Sequence, residues 1–525
     1  MDLLFAGGIG TYVRARGERD EDIGDRANDG VRVQADELRA RVICEGANLS
    51  VTQAARIQYA RRGGRVNQDA IDNAAGVAIS DREVNAKILL RGVAGCDSAE
   101  VARLLAASEA DVVAGVLADV GLQSACLTAE QRGGAARAAS YERLMAELEA
   151  AGRLDREEEL LPSTAEMASR AERGVALLRP ELATLLAYAK RRLVAAIVDS
   201  PLPDQPVLAE ELRRYFPPAL VERAGPALDA HPLRRDLIAT RLANDLVNRL
   251  GVTFAFDLAA DMGVSPSVVA AAYWVARDVA GATRWWSMLL AREDDLGLDR
   301  VLELQERLDS LVAALVRGLV ADPAGTRPLL EDTGSVLARD AGGFAALLAA
   351  DVGTSRRRRE RRDTAGRLTT ELGDAALAAV LAGVEELAYA PEILRVARTS
   401  RRAPAEVAEA FFLLGDHLGT PRLVRLARRA EAAPGEWADR QRRGLEEDIA
   451  VAWLAAVADA LGGAPEEAVR DALRRFADSR EAAVESARDV LSQVEHEQEP
   501  TLDMVAVAVR ALTRAVASPA PEDGS

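Results

Sequence analysis

The sequence predicts an α/β segment at the N-terminus followed by a large all-α helical region. Three observations carry that expectation. Residues 41–90 hold the densest run of Gly, Asn, Asp and Ser in the chain, interleaved with short apolar runs, as strand–turn–helix units require. Beyond that stretch the text turns to Ala, Leu, Arg and Glu, with apolar residues recurring at helical spacing. Aromatic residues make up only 4% of the chain, which suits thin, closely packed helices better than an aromatic-rich sandwich.

Taken in order, Leu3 to Phe5 predict a buried strand that runs into the Gly-rich turn Gly7-Gly8-Ile9-Gly10. Nothing precedes this strand, so its neighbours in a parallel sheet are expected outside the chain, and the chain reads as a fragment. Residues 14–36 are polar and predict a surface loop with short ordered pieces. Arg41 to Cys44 form a second short strand ending at Glu45-Gly46-Ala47-Asn48. Thr52 to Arg62 follow as a helix stopped by Gly63-Gly64. Val66 is a further short strand, and Asn73 to Val77 a turn. Ser80, with Glu83 three residues on, fits the S-x-x-E capping box of a helix running to Ala94. This strand–helix–strand–helix order is an α/β unit, whose ligands sit at the strand ends.

Helices are then expected over 99–120 and 137–151, with a second capping box at Ser163 and Glu166. Pro180 opens a helix in which Leu182, Leu185, Leu186, Ala189, Leu193 and Ile197 share one face. His231-Pro232 begins another, through Leu250, with an apolar stripe at Ile238, Leu242, Leu246 and Leu250 and a charge ladder at Arg241, Asp245 and Arg249. Asn244 and Asn248 lie between the two stripes. Beyond residue 290 the pattern predicts five or six more helices, with breaks near 322–327, 351–355, 402–404, 432–436, 462–465 and 499–500. The resulting divisions are 1–97, 98–177, 178–290 and 291–516, with 517–525 a disordered tail.

Composition narrows the function. A formal charge of −17 over 525 residues argues against general nucleic-acid binding, which draws its affinity from neutralising phosphates. Cys44, Cys96 and Cys126 show no CxxC spacing, so neither a disulfide framework nor a structural zinc site is expected. No charged-then-apolar leader and no run of membrane-span length stand out, so the expected place is the cytoplasm with no membrane contact. His231, His417 and His496 share no metal-ligand spacing. The run Arg356 to Arg362 reads as a solvated helix start or as a contact for an acidic partner or RNA. The Trp285-Trp286 pair reads as core or an interface anchor, and Cys44 as a buried strand thiol.

Two turns carry the chemistry. The triplet at Gly46 to Asn48 and the NAAGV run from Asn73 to Val77 fall on consecutive strand ends, with 25 residues between Asn48 and Asn73. Glycines let backbone approach a ligand closely, and asparagine amides both donate to and accept from a carboxamide or a ribose. A dinucleotide fingerprint is incomplete, since Gly8-x-Gly10 has no third glycine and no long helix after it.

Several motifs together resemble the large NAD-specific glutamate dehydrogenases of bacteria. They are DLLFAGGIGTYV, GDRANDGVRV, EGANLSVTQAARIQYA, NQDAIDNAAGVAISDREVNAKILL, RPELATLLAYAK and HPLRRDLIATRLANDLVNRLGVTF, in unbroken order from residue 1 towards residue 290. The resemblance implies that the α/β segment is the second half of a Rossmann-like dinucleotide-binding domain. It implies oxidative deamination of L-glutamate to 2-oxoglutarate and ammonia, with hydride passing to NAD. Carried over by motif, Asn48 and Asn73 would lie against the NAD ribose and nicotinamide, with Gly46 and Gly76 giving backbone clearance. Ser80 would meet the substrate's side-chain carboxylate, helped by the free N–H groups of a helix start, or would serve only as an N-cap. The family's catalytic lysine and aspartate, and its Gly-rich phosphate loop, have no match here. Lys87 and Lys190 sit in other contexts, so no catalytic residue is expected in this chain. The expected partners are glutamate or 2-oxoglutarate, further copies of the chain, and the missing N-terminal portion of the enzyme. The chain alone is expected to be inactive. The alternative is a non-catalytic helical assembly or regulatory module.

Overall fold

The structure, a computed structural model, describes residues 2–322, 326–430, 436–463 and 466–517. The chain divides into two compact units, Met1–Ala271 with Leu329–Gly334, and Ala272–Pro328 with Ser335–Ser525. The first holds all five described strands, and the second is helical.

In the first unit the strands are β1 (Leu3–Ala6), β2 (Val13–Arg14), β3 (Val33–Gln34), β4 (Val42–Glu45) and β5 (Arg65–Val66). β1, β4 and β5 form a parallel sheet in the order β1-β4-β5, registered Phe5 opposite Cys44 and Ile43 opposite Val66. β2 and β3 form a separate parallel pair, which Val51 extends by a bridge to Val13. Val13, Ala15, Ala35, Ile43, Val51, Ala55, Tyr59 and Val66 make the small core beneath the sheet. Two expectations about β1 change. It has a neighbour within the chain, β4, and it is not buried: Leu3 and Phe5 are 53% and 62% exposed. β1 is an edge strand, and its alternate side chains point to a face that the described residues leave open.

Helix α1 (Asp20–Ile23) sits in the polar loop expected over 14–36. Helix α2 (Gln53–Arg61) is capped by Thr52, whose hydroxyl accepts the Ala55 N–H at 3.1 Å, and it ends where Gly63 turns left-handed at φ 84°. Next come α3 (Asp69–Asp72), α4 (Ala74–Arg91), α5 (Ser98–Ala107), α6 (Glu109–Gly133), α7 (Ala138–Ala150) and α8 (Thr164–Glu172). The single helix expected over 99–120 is thus divided at Ser108. At Ser163 only half of the expected capping box forms. Its hydroxyl accepts the Glu166 N–H at 3.3 Å, while the Glu166 carboxylate turns to Arg61 at 2.9 Å and Arg170 at 2.6 Å.

Helix α9 (Arg179–Val198) buries the whole predicted stripe from Leu182 to Ile197, each of those six residues at most 1% exposed. Short helices α10 (Ala209–Tyr215) and α11 (Pro218–Ala224) lead to α12 (Arg234–Leu250), whose Ile238, Leu242 and Leu246 are likewise buried. The run from Glu109 to Ala150 corrects one reading of composition. It contains an 18-residue window of mean hydropathy 1.6, long and apolar enough to cross a membrane, with only 17% of that window buried. Its alanines disguise this, because each adds little apolar area by itself.

The second unit carries more helices than expected. Fourteen helical segments follow residue 290 among the described residues. Two of the additional ends come from glycines in left-handed conformation, Gly373 at φ 68° and Gly419 at φ 79°, which stop helices that the sequence pattern would continue. The breaks expected near 351–355, 402–404 and 499–500 are present. Those near 322–327, 432–436 and 462–465 lie partly, and the tail 518–525 wholly, outside the described residues. Trp285 and Trp286 are buried, and Trp285 donates to the Ala280 carbonyl at 2.9 Å. Trp453 stacks on Phe411 with ring centroids 3.9 Å apart and donates to the Phe411 carbonyl at 2.8 Å.

Candidate active-site half

Because β1, β4 and β5 run parallel, their carboxyl ends share one edge of the sheet. The loops that follow them, 7–10, 46–50 and 67–73, therefore gather there. This places Asn48 beside Asn73, whose amide nitrogen donates to the Asn48 side-chain oxygen. Asn48 is exposed and Asn73 half-buried, so this bonded amide pair is open to a ligand on one side. Leu49, next to it, adopts the left-handed region at φ 58°, a costly conformation for a branched side chain and one that recurs at functional loops.

The predicted glycines have different reasons. A Cβ on Gly46 would stand 2.7 Å from the Phe5 ring and 3.2 Å from the Ala6 carbonyl, so its small size serves packing against β1. A Cβ on Gly76 would meet only the Asn73 side-chain oxygen at 3.4 Å, so the space beside it is open.

The turn expected at Asn73 to Val77 and the cap expected at Ser80 are both corrected. Helix α4 begins at Ala74 with Asn73 as the flanking residue, so NAAGV opens the helix and Ser80 lies well inside it, exposed. The backbone passes from α3 into α4 through Asn73, whose N–H donates to the Asp69 carbonyl at 2.7 Å, and two alanines then propagate the helix. Glu83 bonds Lys87 one turn on, at 2.5 Å, instead of completing a box. The free N–H groups that attract an anion therefore belong to the residues after Asn73, not to Ser80.

What holds the amide pair is a set of carboxylates that the motifs did not single out. Glu45, fully buried, accepts from Arg56 at 2.7 and 3.1 Å, from the Ser50 hydroxyl at 3.0 Å and from the Val51 N–H at 2.9 Å. Arg56 also reaches Asp69 at 3.1 Å. From α3, Asp69 accepts the Leu49 N–H at 2.8 Å and Asp72 accepts the Glu45 N–H at 2.9 Å. Both ends of the 45–49 loop are thus tied to one face of one short helix, as the i,i+3 spacing of Asp69 and Asp72 allows. Asn67 donates to Asp72 at 2.5 Å and accepts from Arg179, which also bonds Gln131 at 3.0 Å, Thr128 at 3.1 Å and Ser124 at 3.0 Å on α6.

Burial pushes the Glu45 carboxyl above its usual range, against the opposing pull of Arg56. Cys44 is half-buried rather than buried, and burial followed by the nearby Asp72 raises its thiol, which argues against a nucleophile. No group of metal-ligating side chains occurs among the described residues.

Loops 7–10, 46–50 and 67–76 contain no lysine or arginine. Their amides suit a carboxamide and ribose, and they offer no side-chain cation to a pyrophosphate. A cavity of about 680 Å³ in the same unit, lined by Arg16, Ile57, Arg61, Arg156 and Glu166 among others, lies apart from these loops. The strand-end edge is an open half-cleft, and an open half-cleft encloses little volume.

An open parallel sheet end with a bonded amide pair is the kind of edge on which α/β nucleotide-binding proteins place a ligand. Residues 1–130 match the family model described as bacterial NAD-glutamate dehydrogenase, catalytic domain, and residues 174–514 that described as glutamate dehydrogenase, C-terminal. The chain belongs to the bacterial NAD-specific glutamate dehydrogenase family. It is 36% identical to an NAD-specific glutamate dehydrogenase of Mycobacterium tuberculosis over 98% of its own length and 32% of the relative's. It is 35% identical to one of Halomonas elongata over the same shares, and 42% identical to one of Pseudomonas aeruginosa over 59% of its own length and 19% of the relative's. The chain therefore spans about a third of the length of two of these curated relatives, 32% in each.

Proposed function

We propose that this chain supplies the nicotinamide end of the cofactor site in an NAD-dependent glutamate dehydrogenase. The reaction is oxidative deamination of L-glutamate to 2-oxoglutarate and ammonia. NAD, when bound, accepts the hydride. The α/β segment is then the second half of a Rossmann-like domain, with Asn48 and Asn73 facing the nicotinamide and its ribose and Gly76 leaving room for them. Gly46 acts indirectly, by letting β1 pack under the loop. Ser80, exposed on the second turn of α4, faces the side-chain carboxylate of the substrate, with the start of α4 as the nearer anion-attracting element. The family's catalytic lysine and aspartate have no match by motif in these 525 residues, so catalysis requires a further portion of the enzyme or further copies of the chain.

The observation that carries this reading is the hydrogen-bonded pair Asn48–Asn73 at the carboxyl end of a parallel sheet. Saturation-transfer NMR of the purified chain with NADH tests it. Contact is expected at the nicotinamide and its ribose, lost in Asn48→Asp and Asn73→Asp. An absence of any NADH contact overturns the cofactor assignment. Robust glutamate-dependent NADH formation by the chain alone overturns the placement of the catalytic groups outside it.

A further inference from the structure

In the second unit the charge of this acidic chain is locally inverted around residue 354. Thr354 caps the helix Ser355–Leu372 and lines two cavities, of about 560 and 450 Å³. Arg358, Arg470 and Arg474 wall the first, with Glu409 and His417. Arg356, Arg357, Arg422 and Arg425 wall the second, with Asp416 and Glu495. Seven guanidinium groups thus meet three carboxylates, in a chain whose formal charge is −17.

Those carboxylates are already engaged. Glu409 accepts from Arg358 at 2.8 Å and from the Gly353 N–H at 2.8 Å, Asp416 accepts from Arg357 at 3.1 Å, and Glu495 is held by Arg422. Arg425 and Arg470 have no carboxylate within 4.0 Å among the described residues. Arg356 reaches only Glu360 on its own helix, at 4.0 Å, and Arg474 only Asp471 on its own, at 3.3 Å. Four exposed cations on three helices therefore face the cavities, none of them paired within 4.0 Å to a carboxylate of their walls among the described residues. His417 adds none, since burial first, and Arg488 second, hold its imidazole below the usual range. Like charges repel even where water reaches them, yet these arginines gather around one helix start, at Thr354.

We propose that the two cavities form a binding site for a small multivalent anion of the phosphate class, held chiefly by Arg425 and Arg470 with Arg356 and Arg474. Guanidinium forks bind tetrahedral oxyanions through paired N–H groups, and several guanidinium charges around one site favour a di- or trianion over chloride. The site does not depend on the cofactor reading of the first unit.

Calorimetric titration of the 525-residue chain with inorganic pyrophosphate, at fixed ionic strength, tests the proposal. Saturable binding is expected, weakened about tenfold by Arg425→Glu and by Arg470→Glu and abolished by both together, with unchanged far-UV circular dichroism. Arg359→Glu makes the same charge change on an exposed residue of the same helix outside the cavities and should leave affinity unaltered. No saturable binding overturns the proposal. Equal loss in Arg359→Glu reduces the effect to the diffuse field of the helix and overturns the site. Binding of tricarballylate in preference to pyrophosphate overturns the phosphate class.

Discussion

Replacing Arg56 with methionine removes the guanidinium from beneath the Asn48 loop while nearly preserving side-chain volume. Arg56 is 2% exposed and Glu45 fully buried, so the carboxylate left behind has no access to water. It would keep the Ser50 hydroxyl and the Val51 N–H but would lose both guanidinium contacts, with the like-charged Asp69 nearby. Breaking a buried pair by deleting one partner costs about 3–5 kcal/mol, a factor of about 10² to 10⁴ in an opening constant.

The pH dependence has a definite sign. Burial already raises the folded-state pKa of Glu45 above its unfolded value, and losing Arg56 raises it further. The folded state then binds the proton more tightly than the unfolded one. The variant's deficit is therefore largest above the folded pKa and shrinks as pH falls through it towards the unfolded value. The double variant Glu45→Gln with Arg56→Met removes the stranded charge and should lose less than Arg56→Met alone.

The assay can separate the units, because all five tryptophans, 274, 285, 286, 437 and 453, belong to the second. Hydrogen exchange over Val42–Glu45 reads the first unit directly, and urea unfolding followed by fluorescence reads the second. Accelerated exchange in β4, relieved at lower pH, is the expected result. Wild-type exchange in Arg56→Met, or a deficit independent of pH, would refute the reasoning.

Other predictions follow from local geometry. Tyr141, fully buried, donates to the Glu130 carboxylate, so Tyr141→Phe should cost about 1.5–3 kcal/mol in thermal unfolding; a variant as stable as the wild type would count against the bond. Lys190 bonds Gln123 at 2.5 Å, and desolvation lowers its amine to about 8. Its folded pKa lies below the unfolded one, so its cost is fully present below about 8 and disappears as pH rises towards the unfolded value. Lys190→Met should therefore be more stable than wild type at pH near 7, by about 1–3 kcal/mol, and lose that advantage in alkali; unfolding free energies measured across that range decide it. A Cβ on Gly415 would stand 2.2 Å from the Trp453 ring, so Gly415→Ala should shift tryptophan emission and cost about 1–3 kcal/mol. An unperturbed spectrum would show that the stack on Phe411 has slack.

Much of this molecule was legible in its residues. The helix at Thr52 to Arg62, the strand before Glu45, the apolar stripe on α9 and the family itself follow from local spacing and motif, because period, caps and glycine stops act within a turn or two. The capping box at Ser80 misled for a complementary reason. A serine with a glutamate three residues on is a common sign of a helix start and not a sufficient one, and the alanines upstream had already begun the helix. The extra helix ends at Gly373 and Gly419 escaped because glycine inside an alanine-rich run is tolerated as often as it terminates.

Only the tertiary structure decided that Asn48 and Asn73 touch, that Glu45, Arg56, Asp69 and Asp72 hold their loop, and that arginines from three helices converge at Thr354. These contacts join residues tens of positions apart, and their worth depends on burial, which turns an ordinary ion pair into one that cannot lose a partner cheaply. Which residues could do chemistry was therefore a property of the local text, and which of them meet was decided by how the strands and helices pack.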